Sequence, residues 1–135
     1  MVNLVLVSHS ATLAAGLLEL MRQMCADNCK IAVAAGIDDP ANPIGTDAIS
    51  ILQAIESVYT PDGVLVLVDL GSAILSARSA LDLLDPEIAA NVKISAAPLV
   101  EGAIGAVVAA SGGDPLDRVE QEACLAQQAK SAQLN

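Results

Sequence analysis

Four short runs rich in Val, Ile and Leu, at residues 2–7, 30–35, 63–70 and 92–97, recur along the chain with almost no polar alternation inside them. A strand with one wet face alternates apolar and polar residues; a run that does not alternate reads as a strand covered on both faces. Between the runs lie stretches with helical spacing. Residues 12–24 place Leu13, Leu17, Leu20, Met21 and Met24 on one stripe, with Glu19, Arg22 and Gln23 opposite. Residues 47–58 repeat the pattern through Ile51, Leu52 and Ile55, with Thr46 placed to cap them. Residues 73–84 do so through Ile74, Leu75, Ala77, Leu81 and Leu84, closed by Asp85 and Pro86. Two further helices, at 100–110 and 116–130, are separated by Ser-Gly-Gly-Asp-Pro.

Strands alternating with helices imply a parallel sheet between helical layers, an α/β three-layer sandwich. Right-handed crossovers that cover both faces require one reversal of winding, most simply the strand order 2-1-3-4. The first and third strands are then neighbours. Their C-terminal ends flank the switch point where ligands of open α/β sheets gather. At 135 residues the chain is read as one domain over 1–130, with 131–135 as a frayed end or the start of a linker. The core is expected to be aliphatic: there is no Trp, no Phe and one Tyr, Tyr59, against 25 Ala.

Charge and hydropathy narrow the partners. The net charge of −10 and the pI near 4.1 argue against nucleic acid. The mean hydropathy of +0.58 raises the question of a membrane. The longest uncharged stretch, residues 1–18, is interrupted by Ser8, His9, Ser10 and Thr12 and has no preceding Lys or Arg, so it reads neither as a span nor as a signal peptide. A cytoplasmic protein is expected. Cys25, Cys29 and Cys124 form no paired framework and read as reduced thiols rather than as metal ligands.

The single histidine, His9, stands in Ser8-His9-Ser10, between the first strand and the first helix. It has a bland reading as a loop residue. Asp69, in Val68-Asp69-Leu70-Gly71-Ser72, should however lie at the matching edge of the neighbouring strand. A carboxylate holding one ring nitrogen fixes the tautomer and leaves the other nitrogen as a nucleophile. Two helix N-termini, after Ser10 and after Gly71-Ser72, would supply backbone amides and positive dipole ends suited to a phosphoryl dianion; a plain cap accounts for Gly71 and Ser72 equally well. The loop 36–46 contains Gly36, Gly45 and Thr46 and reads either as a wall or lid over the site or as a surface connection.

Rival chemistries lack parts. There is no Gly-Lys-Ser/Thr phosphate loop, and the only His precedes every candidate for a hydrolase serine. An aspartyl-phosphate receiver would also put Asp69 at the end of the third strand. It would need carboxylates after the first strand, where this chain has Ser-His-Ser. With no nucleotide or metal site in view and no cofactor implied, the phosphoryl group is expected to come from one protein and pass to another.

Several segments together resemble the mannose-type EIIA family of the bacterial phosphotransferase system, in its dihydroxyacetone kinase branch. They are Val2-Asn-Leu-Val-Leu-Val-Ser-His-Ser10, Lys30-Ile-Ala-Val-Ala-Ala-Gly-Ile-Asp-Asp-Pro40, Asn42-Pro-Ile-Gly-Thr-Asp47, Asp69-Leu-Gly-Ser-Ala73 and Ala97-Pro-Leu-Val-Glu-Gly102. The resemblance implies that His9 is phosphorylated on Nε2 and that Asp69 orients it; Ser10, Gly71, Ser72, Gly36, Gly45 and Thr46, by their places at the two helix N-termini and in the loop, are the candidate supports of the phosphate. It implies a phosphotransferase subunit whose donor is HPr or an HPr-like domain, charged from phosphoenolpyruvate through Enzyme I. The implied acceptor is ADP on the nucleotide-binding subunit of the kinase, and the final substrate is dihydroxyacetone. A homodimer is implied too. Some members continue into HPr-like and Enzyme I-like domains. The EIIA component of a mannose-type sugar transporter is the alternative within the family.

Overall fold

In a computed structural model, which describes residues 1–25 and 27–135, the four runs form one parallel sheet in the order β2-β1-β3-β4. The strands are β1 (Asn3–Ser8), β2 (Ile31–Ala35), β3 (Val64–Val68) and β4 (Val92–Ser95). The helices are α1 (Ala11–Arg22), α2 (Ala48–Val58), α3 (Gly71–Leu83), the short α4 (Pro86–Ala89), α5 (Leu99–Ser111) and α6 (Leu116–Leu134). Fold class and strand order are as expected.

The pleat divides the core into two layers, because successive side chains of a strand point to opposite faces. Leu4, Leu6, Leu65 and Leu67 pack with α1, α5 and α6 through Leu17, Met21, Ala106, Val107, Val119 and Ala123. Val5, Val7, Val64, Val66 and Val68 pack with α2 and α3 through Ile51, Ile55, Ala73, Ala77 and Ala80. Burial of both faces holds for the central strands β1 and β3. It fails at the edge strand β2, where Ala34 is buried on the α2 face while Val33, on the opposite face, is exposed.

Small residues let α5 and α6 approach closely. A Cβ added at Gly105 of α5 would stand 2.8 Å from the Glu122 carbonyl oxygen and 2.9 Å from the Ala126 Cβ of α6. Three boundaries differ from expectation. Thr46 does not cap α2; Asp47 does, accepting from the Ile49 N–H at 3.2 Å. Asp85 and Pro86 both close α3 and open α4, where the Asp85 carboxylate accepts from the Glu87 N–H at 2.9 Å. α6 continues to Leu134 as an exposed helix, past the expected end at 130.

Candidate functional site

The β1–β3 register pairs Val7 with Val68, so Ser8 and Asp69 leave the sheet side by side. The Asp69 N–H still donates to the Val7 carbonyl at 3.2 Å, which carries the ladder one residue beyond β3. Chain direction then brings His9 over the Asp69 carboxylate.

Both carboxylate oxygens are fully used. Oδ1 lies 2.8 Å from His9 Nδ1 and accepts from the Leu70 N–H at 2.7 Å. Oδ2 accepts from the His9 N–H at 2.8 Å and from the Ser8 hydroxyl at 3.0 Å. Burial would raise the Asp69 pKa; the His9 N–H, the His9 ring, Ser8 and the Leu70 N–H outweigh it and hold the carboxyl below its usual range. An ionised carboxylate only accepts, so His9 Nδ1 is the donor, and in the neutral imidazole Nε2 keeps its lone pair. That lone pair points at Ser72 Oγ, 2.6 Å away, whose hydroxyl must donate to it. The result is an imidazole of defined tautomer, with its basic nitrogen on the more exposed side.

The two helix N-termini at the site are not equivalent. α1 is capped by Ser10, whose Oγ accepts from the Leu13 N–H at 3.2 Å, and the Ser10 N–H donates to Ser8 Oγ at 3.1 Å. The Ser10 hydroxyl is thus a helix cap; its hydrogen bond goes to Leu13 and not to the His9 ring. α3 has no side-chain cap. Its first residue is Gly71, and a Cβ there would meet nothing within 4 Å. Ser72 is therefore both a ring partner and a member of an open first turn that can receive an anion.

The loop after β2 is tied to the histidine. The Gly36 N–H donates to the Ser8 carbonyl at 3.1 Å, and the Gly45 N–H donates to the His9 carbonyl at 2.9 Å. Gly36 adopts φ 71°, and a Cβ there would stand 3.1 Å from the Pro43 carbonyl oxygen, so both conformation and space call for glycine. Thr46 Oγ1 lies 2.6 Å from Ser76 Oγ and fastens the loop to α3. This is a wall braced against β1 and α3, with a cleft of ≈ 520 Å³ along it lined by Ala11, Gly36, Pro43 and Thr46. The larger groove, ≈ 850 Å³ between α5 and α6, contains none of these residues.

The structure therefore places Asp69 and Ser72 against the two ring nitrogens of His9, whereas the hydrogen bonds of Ser10, Gly36, Gly45 and Thr46 go elsewhere than to the ring. Sequence reasoning missed Ser8, the Leu70 N–H and Ser76. Ser8 was within reach of a register argument, since pairing Val7 with Val68 puts it opposite Asp69. Among the described residues no cluster of three His, Cys, Asp or Glu suits a metal ion, and no helix is long and apolar enough to cross a membrane.

A family model described as the PTS system fructose IIA component, EIIA-man, matches residues 3–120. The chain belongs to this family. It is 59% identical over 135 residues to the protein named PEP-dependent dihydroxyacetone kinase, phosphoryl donor subunit DhaM, from Klebsiella michiganensis, covering 99% of this chain and 29% of that protein. The Escherichia coli protein of the same name gives the same identity and coverage. The chain thus spans under a third of the length of these relatives. A shorter relative from Listeria innocua, named PEP-dependent dihydroxyacetone kinase 2, phosphoryl donor subunit DhaM, is 41% identical over 108 residues, which are 80% of this chain and 85% of that protein. A crystal structure of a protein of unknown function superposes with a TM-score of 0.79 at 31% identity, covering 91% of this chain and 92% of that one.

Proposed function

We propose that this chain is a phosphohistidine carrier in a phosphoenolpyruvate-dependent dihydroxyacetone kinase, receiving a phosphoryl group on His9 Nε2 and delivering it to ADP held by another subunit. The observation that supports it most directly is the ring itself: Nδ1 is held by Asp69 at 2.8 Å while Nε2 faces Ser72 at the uncapped start of α3. The donor is HPr or an HPr-like domain, the location is the cytoplasm, and the working form is a homodimer. The names of the relatives support the kinase assignment.

Attack of the Nε2 lone pair on phosphorus forms the P–Nε2 bond as the P–N bond to the donor histidine breaks. No proton moves on this chain: Nδ1 keeps its hydrogen, and the ring acquires positive charge against the ionised Asp69 carboxylate. That charge appears only as the bond forms, so the contact is stronger in the transition state than before it. The Ser72 hydroxyl gives up Nε2 and turns to a phosphoryl oxygen, joined by the Gly71 and Ser72 N–H groups at the start of α3. Delivery reverses the step, with the P–Nε2 bond breaking as a bond to the terminal oxygen of ADP forms. Alignment and charge stabilisation dominate phosphoryl transfer, and this site is built for both.

Incubation with phosphoenolpyruvate, Enzyme I and HPr should yield an acid-labile, alkali-stable label that is absent from His9→Ala. An acid-stable label, or none on the unaltered chain, refutes the carrier role. The family's description as a fructose component favours a second reading, a sugar-transporter EIIA. Chasing the label with ADP plus the nucleotide-binding subunit separates the two, because only the kinase reading predicts labelled ATP.

A further inference from the structure

We infer that Ser8 is a positioning residue for phosphoryl transfer, acting through Asp69 and touching neither the donor nor the phosphate. The inference rests on the carrier reading of His9. Ser8 is the last residue of β1 and is 0% exposed, so no incoming protein reaches its hydroxyl. Its role follows from proton bookkeeping at one oxygen. The Ser10 backbone N–H, 3.1 Å from Ser8 Oγ, can only donate, so Oγ accepts there. The single hydroxyl proton is left for Asp69 Oδ2 at 3.0 Å, which also can only accept. The direction of the Ser8 hydroxyl is therefore set from both sides and does not depend on a rotor choice.

The consequence for Asp69 is geometric. Oδ1 is held by Leu70 and the ring, and Oδ2 by the His9 N–H and Ser8. Ser8 and the two backbone N–H groups are the donors independent of the imidazole. Together they fix the rotation of the carboxylate plane, and hence the plane in which Nδ1–H, and behind it Nε2, can lie. Ser8 is the side chain among those three, so it is the one a substitution can remove. The Ser8 bond also helps hold the Asp69 carboxyl ionised, alongside the contributions of His9 and Leu70. Ser10 adds a link to α1: the N–H that aligns Ser8 belongs to the residue whose hydroxyl caps that helix.

The test compares Ser8→Ala and Ser8→Thr with the unaltered chain, using phospho-HPr as donor. In Ser8→Ala, kcat for acceptance falls about tenfold, the order seen when a group orienting a functional side chain is removed, while KM for phospho-HPr is unchanged. The Asp69 carboxyl, followed by carbon NMR, titrates at higher pH than in the unaltered chain. Ser8→Thr keeps the hydroxyl and recovers most of kcat and the Asp69 titration. A residue of merely structural importance would lower the melting temperature without moving the Asp69 titration, and damage to the docking face would raise KM. Ser8→Ala with unchanged kcat overturns the inference, as does Ser8→Thr that folds and titrates like the unaltered chain yet transfers as slowly as Ser8→Ala. Should Ser8→Ala not fold, the Thr variant together with a Ser8→Cys variant, which keeps the size but donates weakly, decides the matter by the same kcat comparison. Absence of label on the unaltered chain is a separate result and refutes the carrier reading itself.

Discussion

Replacing Asp69 by Asn is the sharpest perturbation of the site, because it keeps the shape and turns one oxygen into a donor. Four donors converge on the carboxylate, and two are backbone N–H groups that cannot rotate away: His9 N–H at 2.8 Å on Oδ2 and Leu70 N–H at 2.7 Å on Oδ1. Either amide orientation therefore sets an NH₂ against one of them. With the NH₂ at the Oδ2 position it opposes the His9 N–H. With the NH₂ at the Oδ1 position it opposes the Leu70 N–H and drives the ring to the Nε2–H tautomer, which has no lone pair for phosphorus. Loss of a charge-assisted hydrogen bond together with one unsatisfied donor costs about 2–4 kcal/mol of stability. Transfer suffers more. Loss of an ionised partner for the developing imidazolium is worth roughly 10²–10³ in rate, and an enforced wrong tautomer raises this toward about 10⁴. Rapid-quench measurement of labelling by phospho-HPr should thus show a drop on the order of 10³-fold for Asp69→Asn, and nitrogen NMR should show loss of the pure Nδ1–H form. A folded Asp69→Asn protein that transfers within threefold of the unaltered rate would refute the charge-and-tautomer account.

The depressed Asp69 pKa also predicts a pH dependence of stability. Because the folded-state value lies below the unfolded one, the carboxylate's contribution is complete above the unfolded pKa and is lost as pH falls through the folded value. The gap in urea midpoint between the unaltered chain and Asp69→Asn should be constant near neutrality and close below about pH 4. Two glycines should respond to alanine with opposite signs. Gly16 is exposed in the middle of α1 with nothing within 4 Å of a new Cβ, so Gly16→Ala should stabilise by about 1 kcal/mol. Gly105→Ala should destabilise by about 1–3 kcal/mol by pushing α6 away from α5; thermal melts of the two variants moving in the same direction would contradict this. Cys29 is buried, and burial, followed by its neighbour Cys25, pushes its pKa up to about 12. Iodoacetamide at pH 8 should mark the exposed Cys124 and spare Cys29 until denaturant is added, as read by peptide mass spectrometry.

What could be read from the chain alone followed the range of the interactions involved. Strand order was legible because right-handed crossovers that cover both faces of a parallel sheet require one reversal of winding, most simply the order 2-1-3-4. The His9–Asp69 pair was legible for the same reason, being a consequence of two adjacent parallel strands ending at one edge. The roles of the hydroxyls were not. Ser8, Ser10, Thr46, Ser72 and Ser76 are chemically near-identical in sequence. One braces a carboxylate, one caps a helix, one faces His9 Nε2, and Thr46 and Ser76 bond each other across 30 residues. Each choice is decided by angles at the end of a strand or the first turn of a helix, where a shift of one residue changes the partner. Asp47 took the cap expected of Thr46 because the helix begins at Ala48, one residue later than the periodicity suggested, and Thr46 was then left to reach α3. Apolar periodicity fixes which face a residue serves, whereas hydrogen bonds at element ends depend on register to a single residue. Register is what the β1–β3 ladder supplies, and it is through that ladder that Ser8 comes to stand beside Asp69.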